Sequence, residues 1–152
     1  MTHSPATTPT RREDVATGSA TLRALQVTAL LSVINLAWQF VTAGQLFPRG
    51  GPVELHAAGA IALHVLTGLA AIAAALHWRT TRGAWWPTAL AAVVFVLSFV
   101  QANVGGYSTL AIHIPGALVL TGGAVWITAW AFTRAPRRSV DAAEPSRRSP
   151  RT

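Results

Sequence analysis

The chain has no cysteine and no lysine, and only five acidic residues, one methionine and one tyrosine. Without cysteine there can be no disulfide, no thiolate metal site, no iron–sulfur cluster and no covalent c-type haem attachment. The scarcity of acid leaves a formal net charge of +7 over 152 residues. All twelve basic residues are arginine.

Half of the chain (51%) is hydrophobic, and the mean hydropathy of +0.41 is too high for an ordinary soluble domain of this size. Apolar runs of about 20 residues read as membrane-spanning helices. Four are expected, over about Leu22–Phe47, Val53–Trp78, Trp85–Val104 and Leu110–Phe132. None has the polar face that a soluble amphipathic helix needs. The expected fold class is an all-α membrane protein, a four-transmembrane-helix bundle.

The arginines are distributed unevenly. Arg11, Arg12 and Arg23 precede the first span, Arg79 and Arg82 separate the second from the third, and six follow the fourth. Only Arg49 lies between the first and second, and none lies between the third and fourth. By the positive-inside rule both termini are expected in the cytoplasm. Topology, with some attraction to anionic lipid, thus explains the basic balance, and no nucleic-acid partner is implied. The all-arginine, alanine-rich usage suggests a bacterial cytoplasmic membrane.

Both ends read as disordered tails, residues 1–20 and 134–152, because Thr, Ser, Pro and Arg dominate them. The N-terminal segment is not read as a cleaved signal peptide, since it carries Glu13 and Asp14 and the apolar run after it is long enough to span. Trp78, Trp85, Trp86 and Trp130 stand at expected helix ends, where the indole ring favours the membrane interface. PRGGP (Pro48–Pro52) and NVGGYST (Asn103–Thr109) read as turns.

Histidines are the informative residues. His3 lies in the tail, His77 at the cytoplasmic end of the second helix. At ~1.5 Å rise per residue, His56 sits ~15 Å from the midpoint of the second helix and His113 ~12 Å from that of the fourth, towards the same membrane face, with His64 only ~3 Å from the midplane. His56 and His113 are therefore level. They also share a local pattern, ELHAAGAIAL against AIHIPGALVL, and the helices before them carry QFVTAG and QANVGG. The chain reads as two repeated helical hairpins, each placing one histidine at the same end of its second helix. Membrane repeats often frame a site at their interface.

A b-type haem needs two axial imidazoles facing each other at one depth and no cysteine. His56 and His113 are the expected iron ligands. Gly59 and Gly116, each three residues further on, are expected to leave room for the flat macrocycle. Pro115 is placed in the first turns of the fourth helix, where its missing N–H costs little. Gln101 is a further candidate contact to the group, and Arg49 a candidate for a propionate. Two histidines with only Glu54 nearby make a poor four-ligand zinc site. Gln39, Gln101, Asn35 and Asn103 are expected to hydrogen-bond across helices, and His64 to bond a backbone carbonyl. Glu54 reads as an exposed loop residue.

Four spans with a histidine near the outer ends of the second and fourth resemble one half of haem A synthase and, more distantly, small cytochrome b561-like bacterial membrane proteins. ELHAAG, VQANVGG and AIHIPG carry the likeness, which covers about Leu22–Phe132. It implies haem ligation by His56 and His113. Half of the synthase cannot hold its two haems, and Ala57 follows His56 where the family pattern has Arg, so haem A synthesis is not implied. The expected function is one-electron transfer through a single bis-His haem b near the extracytoplasmic face. Lipid, a quinone or another membrane redox protein, and a second copy of the chain are the candidate partners. A non-haem accessory protein whose histidines bridge helices is the alternative. A small transporter or proton-conducting bundle using His64 and His113 is a third reading, weakened by the lack of charge deep in any helix.

Overall fold

The computed structural model describes residues 10–46 and 51–134. These form helices α1 (Thr10–Gln45), α2 (Val53–Thr81), α3 (Trp86–Asn103) and α4 (Leu110–Thr133), with a short 3₁₀ turn over Tyr107–Thr109 leading into α4. No strand occurs among the described residues. All four helices contain a stretch long and apolar enough to cross a membrane.

The helices form a square ring. α1 packs on α2, α2 on α3, α3 on α4, and α4 back on α1, whereas the backbones of the diagonal pairs α1/α3 and α2/α4 stay apart. Antiparallel neighbours in this order make an up-down-up-down bundle. The proximal end holds the start of α1 and the end of α4. The distal end holds the α1–α2 and α3–α4 connections.

The outside of the ring is apolar. Ile61, Val119 and Trp126 are each 65% exposed, an arrangement stable only where lipid replaces water. The inside is built from small residues. Ala29, Ala70, Ala91, Ala124 and Ala131 are buried along the axis, and small side chains let helix backbones approach closely in a bilayer. The buried hydroxyls of Ser32 and Thr67 bond back to Thr28 O at 2.8 Å and Leu63 O at 2.7 Å in their own helices, so neither is left unpaired in a dry core.

One boundary differs markedly from the sequence expectation. α1 begins at Thr10, well before Leu22, so the part of the expected tail from Thr10 to Ala20 is helical. Arginine, glutamate and alanine are good helix formers, and a helix can continue past the apolar stretch that defines a span. The rest of that tail, and the other tail beyond Arg134, lie outside the described residues. Pro115 is the sixth residue of α4, in its second turn, where it removes an N–H that would otherwise bond the Ala111 carbonyl. Glu54 is exposed but helical, in the first turn of α2, where its charge suits the helix dipole.

Between α2 and α3 the turn is tight. Arg82 takes the left-handed conformation (φ 52°) and its N–H closes the helix on Trp78 O at 2.8 Å. At the same end His77 meets Thr21 through Nδ1 (3.2 Å) and Trp130 edge-on, while Arg134 lies over the Trp130 ring. His77 therefore stands level with Trp130 near the end of α2.

Candidate functional site

The diagonal gap that the small residues close in the proximal half opens at the distal end into a cavity of about 500 Å³. All four helices line it, mostly with apolar side chains such as Leu36, Phe40, Leu63 and Leu120. Three histidines join them: His56 and His64 from α2 and His113 from α4. The cavity lies within the size range of sites for cofactors and drug-sized ligands, roughly 300–1,000 Å³.

Each of the level histidines is tied by Nδ1 to the preceding helix of its own hairpin. His56 Nδ1 is 3.0 Å from Thr42 Oγ1 on α1. His113 Nδ1 is 3.1 Å from the backbone oxygen of Gln101 on α3. A carbonyl oxygen only accepts, so His113 donates an Nδ1–H and keeps a lone pair on Nε2. That nitrogen is the one available to the cavity the ring lines. Two imidazoles from opposite corners of the ring thus share one apolar chamber, each oriented from behind.

The two glycines expected to leave room for a macrocycle each face a glutamine instead. Gly59 and Gly116 do not line the cavity. A Cβ on Gly59 would overlap Nε2 of Gln39, and one on Gly116 would overlap Nε2 of Gln101. In both hairpins the glycine is the notch that accepts the glutamine of the preceding helix. The space goes to an amide, not to a macrocycle. Gln39 uses it to donate from Nε2 to His56 O at 3.1 Å. Gln101 lines the cavity, and its buried Oε1 has no hydrogen-bond partner. The glycine beside a histidine ring is instead Gly105, which lines the cavity 3.7 Å (from its ideal Cβ position) from His113 Cε1.

Other polar residues divide. Asn35 does bond across helices, from Nδ2 to Gly59 O at 3.1 Å, but Asn103 bonds only Phe99 O in its own helix. His64 takes a side chain rather than a carbonyl: Nδ1 is 2.8 Å from Ser98 Oγ, and the ring stacks on Phe99 at 4.1 Å and 6°. Arg49 lies outside the described residues. Sequence reasoning missed Thr42 and Ser98, the hydroxyls bonded to His56 and His64 of the cavity, because a hydroxyl in an apolar helix normally reads as a group bonded to its own backbone.

Among the described residues no three His, Cys, Asp or Glu side chains converge as a metal ion would require. The nitrogen donors on the cavity wall are the imidazoles of His56, His64 and His113, set in a mostly apolar lining. No family model matches the chain, and neither a curated protein nor a solved structure is similar enough to count as a match.

Proposed function

We propose that the protein binds one b-type haem in the distal cavity, where Nε2 of His56 and of His113 would hold it, and passes single electrons. The observation that carries this reading is the pair of imidazoles on diagonal helices, sharing one apolar cavity and each engaged at Nδ1 by its own hairpin. A haem held this way would supply one-electron oxidation and reduction. The chain's own contribution is orientation and an apolar surround. Thr42 and the Gln101 carbonyl aim the rings, and Leu36, Leu63 and Leu120 line the cavity with apolar surface.

The proposed setting is a bacterial cytoplasmic membrane with both termini on the cytoplasmic side. Arg23, Arg79, Arg82 and Arg134 support it, since all belong to the proximal end, where α1 starts, α2 ends and α4 ends. The haem would then lie towards the extracytoplasmic face. Lipid surrounds the apolar helices, and a quinone or a membrane redox protein is the proposed electron partner.

The test is the dithionite-reduced minus oxidised optical spectrum of the full chain purified from haem-supplied cells. A sharp reduced α-band is expected. A colourless protein contradicts the reading and leaves His56 and His113 as residues that bridge helices.

A further inference from the structure

The geometry points to Thr42 as a positioning residue for His56, one that fixes which ring nitrogen carries the proton; this rests on the haem reading above. Thr42 is 1% exposed. Its Oγ1 has three neighbours: Trp38 O at 3.1 Å, Gln39 O at 3.1 Å and His56 Nδ1 at 3.0 Å. The hydroxyl has one proton and two lone pairs. Both carbonyls can only accept, and a helical threonine commonly gives its proton to such a carbonyl, as Thr67 does to Leu63 O. With the proton placed there a lone pair faces His56, and Nδ1 is the donor. That leaves Nε2 of His56 unprotonated, the form that can ligate.

The second hairpin reaches the same end by another route. Three residues after Gln39 stands Thr42; three residues after Gln101 stands Val104, which has no hydroxyl. α3 stops at Asn103, so the Gln101 carbonyl has lost its helical donor and is free for His113. α1 runs on to Gln45, so the Gln39 carbonyl is still within its helix. There a side-chain oxygen has to take the role that a helix end plays in the other hairpin. The two ligands are consequently unequal. His113 depends on backbone, which no substitution removes, and His56 depends on one threonine.

Thr42→Val keeps the shape and removes the acceptor; Thr42→Ser keeps the hydroxyl. The experiment has two readouts on the full chain. The first is the ¹⁵N spectrum of the imidazoles in protein without haem, which separates the two neutral forms. The second is haem affinity by titration with hemin. The wild type should show His56 protonated at Nδ1. Thr42→Val should lose that form at His56 alone and weaken haem binding roughly 10–100-fold, the usual range for loss of an outer-sphere partner, and Thr42→Ser should restore both. An Nε2-protonated His56 in the wild type, or a Thr42→Val protein matching wild type in both readouts, overturns the inference. A wild type that takes up no hemin instead overturns the haem reading, while the nitrogen spectrum still decides the role of Thr42.

Discussion

The two ends of this bundle are built from the same four helices and solve opposite problems. In the middle of the bundle, Ala29, Ala70, Ala91 and Ala124 line a void of only about 10 Å³. In the distal part the chain keeps a chamber of about 500 Å³ and puts three imidazoles on its wall. The square ring explains how both are available. Because the backbones of diagonal helices stay apart, side chains decide how far the axial gap is filled. Alanine, serine and threonine let the helices draw together. Further out, the side chains facing the axis are longer, and the polar ones are occupied along the walls: Gln39 and Gln101 in their glycine notches, His56 and His113 against the neighbouring helix.

Removing an imidazole breaks the distinction most severely. His56→Ala or His113→Ala should abolish haem retention, whereas His77→Ala at the proximal end should leave the reduced spectrum unchanged; optical spectra of the three purified variants decide it. The same enlargement placed at each end should next give two different defects. Ala124→Leu, in the closed part, should cost about 1–3 kcal/mol through overpacking, seen as earlier unfolding in a denaturing-detergent titration. Ala117→Leu, on the cavity wall, should cost less than about 1 kcal/mol because there is space to take the side chain, yet lower haem occupancy. A smaller effect is expected at the notches. Gly59→Ala should displace Gln39 and forfeit its bond to His56 O, about 1 kcal/mol, and combining it with Gln39→Ala should show clear non-additivity in the same titration. The smallest is Ser98→Ala. It should cost about 1 kcal/mol or less by loss of the His64 hydrogen bond and leave the α-band where it is, since His64 is not one of the proposed ligands.

The spans were legible because an apolar run of about 20 residues has few other readings in a chain of this composition. Expected and observed helices agree closely at the start of α2 and around both ends of α3 and α4. The level pair of histidines was legible too, from rise per residue and from the repeated histidine–glycine spacing. The function of that spacing was not. A pattern shows that Gly59 and Gly116 share a register with the histidines; it does not show what fills the notch, and the filler proved to be a glutamine on another helix. Thr42 was hidden for a related reason. Thr28 and Thr121 have similar surroundings in sequence and bond back to carbonyls of their own helices, Thr28 to Ala24 O and Leu25 O and Thr121 to Ala117 O. What separates Thr42 is a ring brought to it by the α1–α2 turn, and that is a property of the fold.

The central claim is that this chain holds a single haem, in its distal half. The most direct measurement is haem content per chain in the purified protein, by pyridine haemochrome and iron analysis against protein concentration. The predicted result is one haem per chain. None would remove the claim outright. Two would contradict it equally, since a second haem would have to enter the proximal half, where the helices are already closed on one another.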